Sequence, residues 1–210
     1  MSTTQTSRHD YGYSSPMDIS PLPPRSAQRF ADAGVHKPTR ERGEQVEARD
    51  GRKLRLRSIA PDDVDAIRRC FTRLSADEIR MRFLYHMREL PEPMAQRLCR
   101  IDDTCEAAFV LEDDAVEPAE IRGVGRIYID RFINEAEFAV LVEKAWTGLG
   151  LGALLMQRLV DECRRHKVSR LWGYVLIENR PMLDLCRQLR FKRQAIVGDP
   201  GTAKIALDLD

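Results

Sequence analysis

Between residues 146 and 153 the chain reads Trp-Thr-Gly-Leu-Gly-Leu-Gly-Ala, with glycines at the alternate positions 148, 150 and 152. An apolar, strand-like stretch over residues 136 to 142 precedes it, and a helical period over residues 152 to 166 follows. Glycine reaches positive φ without a Cβ penalty and lets a ligand approach the backbone closely. The first amides of a helix have no intrahelical acceptor, and the helix dipole stands behind them, so a strand–glycine–helix junction is a ready anion site. Three alternate glycines exceed what a simple tight turn requires. The loop is therefore expected to hold a phosphate group. It is not a Walker loop, because no lysine follows the glycines. A dinucleotide fingerprint would be GxGxxG after the first strand of a βαβ unit, whereas this is GxGxG late in the chain.

The remaining elements can be read around this junction. Asp50-Gly51 is a strong turn signal between two short arms, residues 45 to 48 and 53 to 59. In the second arm Leu54, Leu56 and Ile59 alternate with Arg55 and Arg57, which predicts one buried face. Pro61-Asp62-Asp63 opens a helix whose Val64, Ile67, Phe71 and Leu74 share a face. Ser75 and Glu78 match a capping box for a second helix, and a third follows Pro93 with Met94, Leu98 and Ile101. Strands are expected over residues 107 to 111, 121 to 130 and 136 to 142, with the acidic stretch 112 to 120 as an exposed loop. After the glycine loop come a helix, a strand over 171 to 177, a helix over 180 to 189 and a final strand pair over 194 to 209. Short loops imply antiparallel pairing, and the late strand–helix–strand unit needs a parallel crossover. The predicted class is α+β, a mixed and mostly antiparallel sheet with helices on both faces.

Composition narrows the function. With 34 basic against 33 acidic side chains among 210 residues, no broad field exists to attract nucleic acid or an anionic membrane. No apolar run approaches the roughly 18 residues of a membrane helix. Five cysteines without CxxC spacing argue against a disulfide framework or a zinc site, and the cytoplasm is the expected compartment. Residues 1 to 44, rich in proline and without apolar periodicity, read as a flexible tail, a linker or a docking segment, and residues 45 to 210 as one domain.

From Trp146 to Phe191 the sequence resembles the acyl-CoA motif of the GNAT superfamily of N-acetyltransferases. The family pattern Q/R-x-x-G-x-G/A aligns with Thr147, Gly150 and Gly152, and the later Asn-to-Phe segment with Asn179 through Phe191. The stretches GRKLRLRSIAPDD, LSADEIRMRF, EAEFAVLV and GYVLIENRPMLDL are similar to the GNAT domain of bacterial protein-lysine acetyltransferases. This resemblance implies acetyl-CoA as cofactor, with its pyrophosphate on the amides of Gly148, Leu149, Gly150, Leu151, Gly152 and Ala153 beside Thr147. Leu141 and Val142 would offer backbone groups to the pantetheine arm, and Asn179 would lie alongside it. Asn179 also suits the N-cap of the following helix. Three positions depart from the pattern. Thr147 replaces a long donor, Arg190 stands where relatives have glycine, so that the helix is expected to end differently, and Cys186 occupies the place of a tyrosine general acid.

Acetylation requires a neutral amine, yet a lysine with a pKa of about 10.4 is protonated near neutral pH. Glu137, a carboxylate in an otherwise apolar strand, is the candidate general base, and burial would raise its pKa. Against this stands a plain outward-facing strand residue. Cys186 reads either as a thiol acid for the departing thiolate or as core. Arg80, Arg82 and Arg88 could line an entrance or be solvated surface, His86 and His166 suggest no metal, and Trp146 and Trp172 read as packing residues. The expected acceptor is a protein lysine. A small amine and a non-catalytic acyl-CoA-binding module are the alternatives.

Overall fold

The computed structural model describes residues 43–84 and 86–209, so residues 1–42 of the expected tail lie outside the described residues. The elements are β1 (Glu44–Glu47), β2 (Lys53–Ser58), α1 (Val64–Arg73), α2 (Ala76–Phe83), α3 (Glu92–Cys99), β3 (Glu106–Asp113), β4 (Glu120–Asp130), β5 (Glu135–Val142), α4 (Leu151–Arg165), β6 (Arg170–Leu176), α5 (Arg180–Gln188), β7 (Lys192–Ile196) and β8 (Asp199–Asp208). Short 3-10 turns at Pro61–Asp63 and Lys144–Trp146 lead into α1 and the glycine loop. One sheet runs in the order β1-β2-β3-β4-β5-β6-β8-β7. Every neighbouring pair is antiparallel except β5 and β6, the pair joined by the crossover through α4.

Local chemistry explains the boundaries. Gly51 takes the left-handed conformation (φ 87°) that the β1–β2 turn needs. In α2 the Ser75 hydroxyl accepts from the Glu78 amide at 3.2 Å, and the Glu78 carboxylate accepts from the Ser75 amide at 2.9 Å. Pro93 sits in the first turn of α3, where a missing N–H costs nothing.

The sheet is covered on both faces. On one side α4 inserts Leu151, Leu155, Met156, Leu159 and Cys163 against Leu54, Leu111, Ile127, Ala136 and Leu171. On the other, α1, α2 and α3 bring Ile67, Phe71, Ile79, Phe83 and Ala95 onto Val110 and Ile121. In α3 the fully buried positions are Ala95 and Cys99, while Met94, Leu98 and Ile101 pack at the edge of that cluster.

Two polar expectations need correction. Arg57 is buried, because helices close both faces of β2, and its guanidinium bonds Asp63 at 2.7 and 2.8 Å and Glu112 at 2.6 and 3.0 Å. Burial opposes the charge of Arg57, but the two carboxylates outweigh it and hold the guanidinium protonated. The acidic stretch 112 to 120 is likewise not all loop. Glu112 and Asp113 are buried in β3, and Glu120 opens β4, where it pairs with Arg69 and Arg73. An alternation rule assigns charges to solvent; here each charge is carried inward by an arginine partner.

Candidate active site

The parallel pair β5 and β6 is joined over three rungs only, Glu135↔Arg170, Ala136↔Leu171 and Glu137↔Trp172. Beyond Glu137 the strands part, while β5 stays paired to β4 as far as Val142. A cleft therefore opens between β5 and β6, with Glu137 at its apex. The Glu143 amide donates to Arg122 on β4, and the Asn134 carbonyl accepts from Ser169 just before β6. Odd-numbered residues of β5 thus turn their backbone groups to β4 and even-numbered ones to β6. Of the two positions singled out from sequence, Val142 faces the cleft together with Phe138 and Val140, whereas the backbone groups of Leu141 are directed to β4.

The glycine loop closes the wide end of this cleft. Gly148 and Gly150 adopt φ of 76° and 88°, a region that side chains disfavour, and a Cβ on Gly148 would meet nothing within 4 Å. Gly150 is the N-cap of α4 and no side chain caps the helix, so the amides of Leu151, Gly152 and Ala153 lack a side-chain acceptor. This open, positively polarised cradle fits a pyrophosphate. Two neighbours fix its shape. Trp146 is buried beneath the loop, with the Arg52 guanidinium 3.7 Å above its ring, and the Lys144 amide donates to Glu78 of α2 at 2.7 Å. The Thr147 hydroxyl donates to the Lys144 carbonyl at 2.8 Å, which engages it within the loop.

Glu137 projects to the face covered by α1–α3, since Ala136 and Phe138 belong to the opposite core. It is half-buried, and burial pushes its carboxyl above the usual carboxylate range against the lowering influence of Arg82 and Lys204. Its cross-strand neighbours are Tyr128 and Trp172. Trp172 makes an edge contact with Tyr174 (5.3 Å between centroids) and carries the Lys204 ammonium 4.3 Å above its ring. Trp172, read from sequence as a packing residue, does pack, but half-buried rather than in the core. It belongs to a half-open aromatic surface beside Glu137, a role that single-sequence periodicity does not reveal. Arg80 of α2 forms an ion pair with Glu178 in the loop after β6, across the mouth of the cleft.

The other expected residues fall as follows. The Asn179 side chain accepts from the Met182 amide at 3.2 Å, capping α5, while its amide NH2 has no bond to protein among the described residues. Cys186 is 1% exposed, packs in the α4-side core, and has its thiol pushed up to about 12 by burial. Arg190 does not end α5 differently. It takes the glycine-like conformation itself (φ 65°), and the amide of Phe191 closes on Cys186 at 2.9 Å. Arg88 and His86 are exposed, and His166 contacts Glu162 at 3.2 Å. Among the described residues, no helix is long and apolar enough to cross a membrane.

A mixed sheet that splits between one parallel pair, with a glycine anion cradle at the split, defines the acyl-CoA transferase class. The sequence pattern of the Acetyltransferase (GNAT) family matches residues 70–191. An acetyltransferase of Pseudomonas aeruginosa is 33% identical over 150 residues, covering 69% of this chain and 78% of its own. Among solved structures, the GNAT domain of S. lividans PAT superposes with a TM-score of 0.71 at 20% identity, over 85% of this chain and 100% of that one. An acetyltransferase from Salmonella typhimurium, solved with its cofactor acetyl-CoA, gives 0.57 at 20% identity, over 75% and 94%. This chain belongs to the GNAT acetyltransferase family. It is an acyl-CoA-dependent N-acetyltransferase that uses acetyl-CoA.

Proposed function

We propose that the protein transfers the acetyl group directly from acetyl-CoA to a lysine side chain on another protein, with Glu137 as the general base. The observation that carries this reading is the position of Glu137, half-buried at the apex of the cleft where β5 and β6 separate. Acetyl-CoA supplies an activated acetyl thioester. Its pyrophosphate is assigned to the loop amides from Gly148 to Ala153. Its pantetheine arm is assigned to the backbone of Val140 and Val142, with the free amide NH2 of Asn179 alongside. A carboxylate with a raised pKa is suited to taking a proton from the acceptor ammonium, directly or through water, so that the neutral amine can attack. The exposed ring of Tyr128 offers a face that attracts an ammonium group. Cys186 is assigned to the core, and no general acid is required for a thiolate leaving group.

A protein acceptor is favoured by the open side of the site. Tyr128 is exposed, and at the β4–β5 turn Phe132 is fully exposed and Ile133 more than half so. Apolar groups presented in this way beside a reactive carboxylate suit docking of a folded partner. A second reading has one observation in its favour. A cavity between the sheet and α1–α3 is lined by Ile67, Phe71, Phe83 and Leu141 together with Arg82 and Arg126. Two guanidinium groups in an apolar recess suit a small amine that also bears a carboxylate.

Incubation of the enzyme with acetyl-CoA and lysine-rich folded proteins, followed by mass spectrometry, tests the choice. Enzyme-dependent acetyl-lysine is expected, with the rate reduced about a hundredfold or more in Glu137→Gln. If no such product forms while an amino acid is turned over with kcat/KM above about 10⁴ M⁻¹s⁻¹, the small-amine reading replaces it.

A further inference from the structure

Arg49 lies about a hundred residues before the glycine loop, in the turn between β1 and β2, yet it is packed against Gly150. A Cβ built on Gly150 would meet the Arg49 side chain first, Nε at 3.5 Å and Cγ at 3.7 Å. The turn is docked onto the loop at several points. The Arg49 amide donates to the Leu149 carbonyl at 3.1 Å, an Arg52 nitrogen donates to the Ala145 carbonyl at 3.2 Å, and Ala48 is buried in the core. The two arginines have different fates. Arg52 is held by Asp50 at 2.7 Å and by the Trp146 ring. Arg49 is exposed and has no carboxylate partner among the described residues.

We infer that Arg49 is a pyrophosphate-binding residue for acetyl-CoA, supplying from the β1–β2 turn the long cationic donor that Thr147 cannot. Thr147 stands where the family motif has Gln or Arg, and its short hydroxyl is already bonded to Lys144. The loop amides contribute only partial charges. A guanidinium over Gly150 adds a full charge and a fork of donors matched to phosphate oxygens. The turn is tied at Ala48, Leu149 and Ala145, which fixes the Arg49 backbone beside the loop.

Binding, measured by isothermal titration calorimetry, is the test, and it is independent of the acceptor. CoA and 3′-dephospho-CoA share the pyrophosphate but differ in the ribose phosphate. Arg49→Ala and Arg49→Gln are expected to weaken both ligands by the same factor, about ten- to a hundredfold as for a charge-assisted bond. Arg49→Lys is expected to keep most of the affinity. The salt dependence of binding should become shallower in the two uncharged variants. Because the Arg49 side chain is exposed, the variants should melt as the wild type does. Undiminished CoA affinity in folded Arg49→Gln overturns the inference. So does a loss seen with CoA but not with 3′-dephospho-CoA, which would move Arg49 to the ribose phosphate.

Discussion

The Glu137 carboxyl is kept partly out of water, and that has a thermodynamic consequence separate from its proposed role. Its folded pKa lies above the ordinary value because burial outweighs Arg82 and Lys204. The native state therefore holds this proton more tightly than the unfolded chain, so stability falls as pH rises from the unfolded pKa through the folded one. A neutral side chain at 137 escapes that loss. Glu137→Gln is thus expected to have a higher Tm than the wild type at pH 7.5, with the gap closing as pH falls below the ordinary carboxylate range, where Glu137 is protonated in both states. With Glu137 as the proposed base, the same ionisation is expected to set a rising acid limb of kcat/KM in the wild type, and this limb should vanish in the residual activity of the variant. Calorimetric melts and pH–rate profiles of the two proteins check both statements. Equal Tm values at pH 7.5 would mean that the site stabilises the carboxylate as well as water does.

Helix ends and strand joints decide where the chemistry sits. The end of α5 is the plainest case. Arg190 holds a left-handed backbone that costs a non-glycine residue about 1 kcal/mol or more. Arg190→Gly is expected to raise the unfolding free energy by about 1 kcal/mol in urea titrations, with CoA affinity unchanged. A fall in stability would instead show that the arginine side chain contributes contacts worth more than the strain. The sequence pattern led to the departure at 190 but to the wrong outcome, because local preference predicts a different helix end while the Cys186–Phe191 closure enforces the ordinary one. Elements with strong local signals were legible in advance: Asp50-Gly51, the Ser75–Glu78 box, Pro93 and the glycine loop all sit where short-range chemistry puts them. What needs long-range contacts was not. The partnership of Arg57 with Glu112, 55 positions apart, and the docking of Arg49 on Gly150 leave no trace in periodicity. The aromatic company of Glu137 was missed for the same reason, since Tyr128 and Trp172 become its neighbours only through strand register.

At the scale of the domain, ion pairs with at least one buried partner tie the helical layer to the sheet. Arg57 joins β2 to β3 and to the turn before α1, and Arg73 of α1 reaches Glu143 just beyond β5. Arg57→Met leaves Asp63 and Glu112 buried without their counter-charge, and a loss of about 3–5 kcal/mol in urea unfolding is expected. Adding Asp63→Asn and Glu112→Gln should restore much of it; a single variant as stable as wild type would mean that water reaches the two acids. Among the described residues, strand edges without a neighbouring strand lie at the two ends of the sheet and within it, where β5 and β6 part. The outer margins are β1 with Glu44 and Glu47 and β7 with Lys192 and Arg193, both short and charged, which discourages growth by addition of another chain. The internal edge runs along Phe138–Val142, and it is apolar. An apolar open edge on the outside would invite aggregation. Enclosed between β5 and β6, it is left for a thin, amide-bearing chain such as the proposed pantetheine arm, which would complete the sheet as a short strand would.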